Sequence, residues 1–393
     1  MSMQKITWVN FLHFYQPATA DNETIIEATE KSYKRIIGAL KRNPKIKFTF
    51  NITACLLDRW LALGYKQLIE EVKELLNNGQ IELTGSAAFH PILPLLPTTE
   101  IIRNILINQE LLKKHFGDKL KPSGFFPPEA AYHPKLSKLV KKLGFSWLLL
   151  DEIAASGKLN NLNFSQNYLD GNSGLKICFR SREFSKSYVP LTIFKLIKQG
   201  KSKLITTATD AELYGLRHQD FSASFEKLLK RPEIKTLTVS QYLAEAKSYK
   251  KIFPLASSWE STEAELKQKL PFALWYNEKN KIQVLLWQMA NLAITTVNRF
   301  SNDQQYDWAR SHLDKGLASC TFWWASARDF KLFGSISWNP DEIERGVNEL
   351  IRSIRALVDP KTRKIKIKAE KLYIKIKQLI WHKHWTYYWK KGK

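Results

Sequence analysis

A (β/α)7 barrel, seven parallel strands each followed by a helix, and then an α-helical region is the fold class that this 393-residue sequence predicts. Three observations carry it. Apolar runs of strand length alternate with amphipathic helical patterns over residues 1–250, the signature of βα units. Those runs end in polar or acidic residues, as strands do when their carboxyl ends line a mouth. Over residues 251–393 strand signals stop and long period-3.6 patterns take over. The expected division is a barrel at 1–250 and a helical region at 251–393 packed on it, with no Gly/Ser-rich linker between them.

The first strand is expected at Ile6 to Phe14, running out at His13, Gln16 and Pro17. An amphipathic helix over 25–42 leads to a second strand, Ile46 to Ile52, with Asn51 at its end. Helical segments carrying Leu56, Leu57 and Trp60, then Leu68, Ile69 and Val72, stop at Asn77-Asn78-Gly79. Strand three, Gln80 to Gly85, enters the loop with His90-Pro91, and a helix follows over 98–116. Strand four, Gly124 to Phe126, is cut off by Pro127-Pro128, since proline cannot donate to a ladder, and Glu129 comes next. Leu136, Leu139, Val140 and Leu143 make the next helix, Gly144 closes it, and Phe145 to Leu150 is strand five, ending in Asp151-Glu152. Residues 154–174 are rich in Asn, Ser and Gly and suggest a loop or short excursion. Leu175 to Phe179 is strand six, a helix lies near 189–199, and Lys203 to Thr209 is strand seven, ending in Asp210. Thr236 to Leu243 fits an eighth element or a strand-to-helix start. Helices are expected at about 278–298, 303–327, 340–358 and 366–389.

Composition narrows the class. Hydrophobic residues make up 44% and there are 13 Trp, 14 Tyr and 21 Phe, so the chain has ample material for a core. The formal charge of +24 would attract a polyanion or an anionic surface. The blander account is lysines solvated on helix faces, and no nucleic-acid-reading motif is present. Cys55, Cys178 and Cys320 are far apart and odd in number, which fits a reducing compartment better than a disulfide framework. With no leader-like start and no long apolar run, the expectation is a cytoplasmic protein that needs no cofactor.

His13, Asn51, His90, Glu129, Asp151 and Asp210 all stand at strand ends. Two carboxylates there, Glu129 and Asp210, are what glycoside cleavage requires: one to attack or guide water, the other to protonate the leaving oxygen. A surface carboxylate at a helix start is the alternative for Glu129. Adjacent Trp323 and Trp324 cannot both line a cleft, because neighbours on a helix face apart. Trp324 and Trp259 are candidate sugar-stacking rings.

Five segments resemble glycoside hydrolase family 57, the amylases, glucanotransferases and branching enzymes: LHFYQP (12–17), GSAAFHPILPLL (85–96), GFFPPEAAY (124–132), TDAELYG (209–215) and LASCTFWWAS (317–326). The resemblance is to the amylase-like branch, and it implies a retaining α-glucan-active enzyme cleaving α-1,4 bonds. Glu129 would be the nucleophile and Asp210 the acid/base; His13, Gln16 and His90 would contact the sugar, and Glu212 would help keep Asp210 protonated by like-charge repulsion. The sequence departs from the family pattern at Tyr15, Ala211 and Cys320; if position 211 needs a positive φ, alanine is strained there.

Rival expectations follow from other features. A glucan- or polyanion-binding protein with little activity would use the positive charge. A metal-dependent deacetylase-like enzyme would use His13, His90, His133 and Asp210, but none of these three histidines stands in an HxH or HxxxH pair. His133 and Asp151 are expected in supporting roles, at a helix start and a strand end. From Lys361 to Lys393 there are 12 Lys or Arg and one acid, with Trp381, Trp385 and Trp389 at four-residue spacing. That stripe is expected to lie on the helical region with its lysines in water; association with an anionic membrane is the alternative. Oligomeric state, and the choice between hydrolysis, disproportionation and branching, are not encoded in any local pattern.

Overall fold

A computed structural model describes residues 6–118, 120–200, 203–328 and 336–390. The first five residues, where a leader was sought, and the last three of the basic tail lie outside the described residues. The described residues fall into two compact units. One comprises 1–16, 20–88 and 93–271; the other comprises 17–19, 89–92 and 272–393. The boundary expected at 250 therefore falls at Pro271, and two short loop pieces group with the helical residues.

Ten strands belong to the first unit: β1 (Ile6–Phe14), β2 (Phe48–Ile52), β3 (Ile81–Leu83), β4 (Gly124–Phe125), β5 (Trp147–Asp151), β6 (Tyr168–Asp170), β7 (Lys176–Arg180), β8 (Lys203–Asp210), β9 (Ile234–Leu237) and β10 (Lys250–Ile252). They form two five-stranded sheets. In one, the order is β3-β2-β1-β8, with β9 also beside β1; in the other it is β10-β6-β7-β5-β4. Every pairing is parallel except β6 with β7. The seven expected barrel strands are β1, β2, β3, β4, β5, β7 and β8. They do not close as one continuous ladder. At one seam β3 and β4 are joined by a bridge between Gly85 and Phe125 and by Ser86 Oγ donating to Phe126 O at 2.7 Å. At the other, Ser181 N donates to Thr206 O at 2.9 Å and Thr206 Oγ1 to Phe179 O at 2.7 Å, linking β7 to β8. The excursion over 154–174 contributes β6, which takes up β10.

Period-two alternation sorts the side chains into layers. From β1, Trp8, Leu12 and Phe14 join the outer core with Phe48, Phe50 and Ile52 of β2 and Ile81 and Leu83 of β3. Val9 and Phe11 face the opposite way, into an inner core with Leu149, Cys178 and Ala208. His13 has the parity of Phe11, Asn51 that of Thr49, and Asp210 that of Ala208, so all three point inward. β9 flanks only Ile6–Val9 of β1, while β2 flanks Phe11–Phe14. The helix Val239–Ala244, capped by Thr238 in a capping box, follows β9. Its Val239 and Leu243 fill the inner core, and Val239 N and Ser240 N donate to Thr49 Oγ1 and Glu82 Oε1. The single helix expected over 25–42 is α-helical at Asn22–Ala28 and Lys34–Lys41, with a π turn at Thr29–Tyr33 between them.

The second unit is helical: Lys281–Arg299, Tyr306–Gly316, Ser319–Trp323, Pro340–Ala356 and Arg363–Lys383, the last running on into a π turn at His384–Tyr388. The single helix expected over 303–327 is broken, because Ala318 takes an extended conformation (φ −53°, ψ 142°) and starts a new helix. Asn280 and Asn339 cap two of the long helices through their side chains.

Candidate active site

Registers in the first sheet align three polar residues at the carboxyl ends of their strands. His13 is the partner of Asn51 on β2 and of Asp210 on β8. Adjacent strands lie roughly 4.8 Å apart, so Asn51, His13 and Asp210 form a row across three strands. Asn51 Oδ1, an acceptor, lies 2.8 Å from His13 Nδ1. This places the proton of a neutral ring on Nδ1 and makes Nε2 the acceptor. Burial pushes the imidazole down to about 4, against an opposing pull from Asp210, so His13 is neutral at pH 7. Its ring packs against Phe126 at 5.0 Å and Trp259 at 6.1 Å.

Glu129 follows β4, and β4 approaches β5 so closely that a Cβ on Gly124 would collide with the Trp147 ring. After Pro127-Pro128 the chain turns left-handed at two consecutive non-glycine residues, Glu129 (φ 60°) and Ala130 (φ 47°). Each costs on the order of 1 kcal/mol. The conformation is held from outside: Trp259 N donates to Glu129 O at 3.1 Å and Tyr132 N to Ser257 O at 2.8 Å. The turn aims the carboxylate at the Trp259 indole, whose Nε1 donates to Glu129 Oε2 at 2.8 Å. His133, as expected, only starts the next helix, its Nδ1 accepting from Lys135 N.

Asp151 anchors the loop that carries Trp259. Buried at the end of β5, it binds Arg180 Nε at 2.7 Å and Arg182 Nη2 at 2.6 Å. Arg182 Nη1 donates to Ser261 O at 2.7 Å, and Arg180 Nη2 to Trp259 O at 3.2 Å. The Arg180 guanidinium also lies over the Trp259 ring at 4.8 Å. A buried carboxylate with two arginines is costly unless fully bonded, and here the arginines' other donors go to the 258–261 loop and, from Arg180 Nη1, to Ala208 O of β8 at 2.9 Å. Asp151 thus acts on Glu129 at second hand, through the arginines and Trp259.

Asp210 has different company. Arg217 Nη1 lies 3.1 Å from Asp210 Oδ2 in a partly exposed ion pair. Two residues on, buried Glu212 accepts from Gln16 Nε2 at 3.0 Å and from the Tyr33 hydroxyl. Burial pushes the Glu212 carboxyl up to about 7, Arg217 pulls it back and Asp210 adds to the rise. The π turn supplies Tyr33, and with it Ser32, whose Oγ accepts from Leu216 N at 2.9 Å. Gly215 (φ 139°) passes so close to Lys31 O that a Cβ would collide with it. Ala211 opens a right-handed 3-10 turn over Ala211–Leu213, so no positive φ is asked of it.

Glu129, Asp210, His13, Gln16, Glu212 and Trp259 therefore all belong to the first unit. His90 and Trp324 belong to the second. There His90 (φ 56°) pairs Nδ1 with Ser319 Oγ at 2.9 Å, and Ser319 N donates to His90 O. Trp324 packs edge-on against Trp323 at 4.4 Å. Arg217, Tyr33 and the Arg180–Arg182 pair escaped sequence reasoning; only the strand-end position of Arg180 hinted at a role. Among the described residues no group of three or more His, Cys, Asp or Glu side chains could hold a metal ion. No described helix is long and apolar enough to cross a membrane.

A family model described as Glycosyl hydrolase family 57 matches residues 4–254. An alpha-amylase of Pyrococcus abyssi is 22% identical over 284 residues, covering 67% of this chain and 43% of that protein. A 4-alpha-glucanotransferase of Thermococcus litoralis is 21% identical over 287 residues, covering 68% of this chain and 43% of that protein. The chain spans less than half the length of these curated relatives. The crystal structure of a 4-alpha-glucanotransferase from Thermococcus litoralis superimposes with a TM-score of 0.70 at 15% identity, covering 91% of this chain and 60% of that one. A branching enzyme from Thermococcus kodakaraensis gives 0.69 at 16% identity, covering 95% and 96%. At these identities the structures show a shared fold.

Proposed function

Because the chain belongs to glycosyl hydrolase family 57, we propose that it is a retaining enzyme acting on α-1,4-linked glucans through a glycosyl-enzyme intermediate. The observation that carries this reading is the setting of Glu129: a carboxylate on a strained turn at a strand's carboxyl end, with an indole N–H bonded to it. That donor helps hold the carboxylate in one direction, as a nucleophile requires. Glu129 attacks the anomeric carbon. Asp210 donates a proton to the departing glycosidic oxygen, then takes one from the incoming water or sugar hydroxyl. Neutral His13, with Nε2 as acceptor, can take a hydrogen bond from a sugar hydroxyl, and His90 is assigned a similar contact. Gln16 positions Glu212, Trp324 is assigned a sugar-stacking contact, and Trp259, buried with Arg180 over its ring, is assigned an edge contact beside Glu129. Hydrolysis, disproportionation and branching differ in the acceptor that reaches the intermediate, and relatives named for each activity match this chain.

The test is turnover of maltoheptaose. Glu129→Ala should remove it, and Asp210→Ala should still act slowly on an aryl maltooligosaccharide whose leaving group needs no proton, in a reaction that azide accelerates to give a glycosyl azide of retained configuration. Unchanged turnover by Glu129→Ala refutes the nucleophile. A glycosyl azide of retained configuration from Glu129→Ala, with one of inverted configuration from Asp210→Ala, would exchange the two roles.

A further inference from the structure

The Arg363–Lys383 helix and the π turn after it lay only the first residue of their tryptophan stripe on the helical unit: Trp381 Nε1 donates to Glu344 Oε2 at 2.8 Å, whereas Trp385 and Trp389 are exposed. Ala369, Ile376 and Ile380 make the buried seam, while Ile367 is 50% exposed, Ile374 52%, Trp385 61% and Trp389 38%. At about 100° per residue, Ile367, Ile374 and Trp385 fall within about 20° of one another, so the exposed apolar residues share one outward line. Tyr387 is exposed beside them. Lys364, Lys368, Lys371 and Lys375 run along one flank of that line, all exposed. The helix's one acid, Glu370, is held by Arg355 at 2.6 and 2.7 Å. The inner Lys377 is paired with Glu344. Apolar contact and uncompensated positive charge therefore occupy the same solvent face.

We propose that this face docks on the headgroup layer of an anionic lipid bilayer, with the helix lying in the plane of the interface. Charge complementarity selects the occupant. Four unneutralised lysines near a negatively charged surface each contribute about a factor of five in affinity. Trp and Tyr rings settle at the headgroup level, where one edge is apolar and the other wet. The partly exposed isoleucines suit acyl chains just below. A nucleic-acid backbone would satisfy the lysines but gain nothing from Ile367 and Ile374. A neutral glucan would use the rings and leave the lysines without counter-charge. A second copy of this face would meet it with like charge.

The experiment uses the full chain and phosphatidylcholine vesicles with and without phosphatidylglycerol, across a salt series. Co-sedimentation is expected only with the anionic vesicles, weakening as salt rises, with a blue shift of tryptophan fluorescence. Replacing Lys364, Lys368, Lys371 and Lys375 together by Gln should weaken binding on the order of 10²–10³-fold. The four Lys→Arg changes, which keep the charge, should retain it, so a folding defect is told apart from a lost contact. Trp385→Ala with Trp389→Ala should abolish the blue shift. Equal binding by the Gln and wild-type chains overturns the proposal, as does no binding to phosphatidylglycerol vesicles at low salt. Capture by an oligonucleotide or by amylopectin with the vesicles ignored would assign the face to that ligand instead.

Discussion

The ends of β4 and β8 each present a carboxylate, and the two are held by opposite means. Glu129 sits on a left-handed turn and touches a neutral indole donor. Asp210 sits on relaxed backbone among charges, paired with Arg217 and two residues from the buried, hard-to-ionise Glu212. The strain at β4 fixes a direction, whereas β8 surrounds its carboxylate with charged neighbours. Directed attack needs the first and proton exchange needs the second. Residue type alone would not have told the two apart.

The contrast can be broken most severely at its remote support. Asp151→Ala leaves Arg180 and Arg182 buried without their carboxylate and should cost about 3–5 kcal/mol in urea unfolding. Turnover should fall too, since the 258–261 loop loses its anchor. A narrower cut is Trp259→Phe, which keeps a ring and removes the bond to Glu129. Bonds to charged groups contribute about 1.5–3 kcal/mol, so kcat on maltoheptaose should drop by about ten- to a hundredfold with near-wild-type stability. A wild-type kcat would show that the strained turn suffices to aim the carboxylate.

At the β8 end, Glu212→Gln tests the charge cluster through pH. The Glu212 pKa is raised from 4.5 to about 7, so the native state holds a proton that the unfolded chain releases. That stabilisation is full below about 4.5 and is lost as pH rises through about 7. The variant lacks this loss, so its stability relative to wild type should rise between pH 5 and pH 8 by up to about 3 kcal/mol, at about 1.4 kcal/mol per unit. His13, lowered to about 4, destabilises the native state as pH falls below 6.5. It does so in both proteins and cancels in the comparison. Arg217→Ala removes the cation paired with Asp210. Turnover of maltoheptaose should fall modestly, since a partly exposed pair contributes about 1 kcal/mol at most. The smallest change is Ala130→Gly, which relieves one left-handed residue; a gain of about 0.5–1 kcal/mol is expected from thermal melts.

Much of the strand layout was legible because an apolar run of strand length ending in polar residues is a local feature: Ile6 to Phe14 runs out at His13, Ile46 to Ile52 at Asn51 and Lys203 to Thr209 at Asp210. That placed His13, Asn51 and Asp210 at one rim. The two-sheet interruption was not legible, since a seam depends on bridges such as Gly85 to Phe125 between distant strands. Nor was the turn at Glu129 visible, because left-handed backbone is announced by Gly or Asn and here stands on Glu and Ala. The partners of the acids lay out of reach for the same reason: Tyr33 is 179 residues from Glu212. On the last helix, two sets of isoleucines at helical spacing compete for the inside. Pattern cannot choose between them, which is why the tryptophan stripe was expected on the bundle. The helix expected over 303–327 breaks at Ala318, and Gly316, the last residue of the first piece, was the one local mark of that end.

The π turn at Thr29–Tyr33 gives the chain a form of bookkeeping by rotation. One extra residue wound into a helix turns everything beyond it by about 100°. Upstream, Ile25 and Ala28 are buried; downstream, Ile36, Ile37 and Leu40 are. Deleting a single residue from 29–33 would leave an ordinary helix of sound composition whose second half faces the wrong way. Either Ile36, Ile37 and Leu40 would swing toward water, or Tyr33 would swing away from Glu212. The wound-in residue is a phase key: it lets one continuous rod serve the outer core along its length and the acid cluster at its middle.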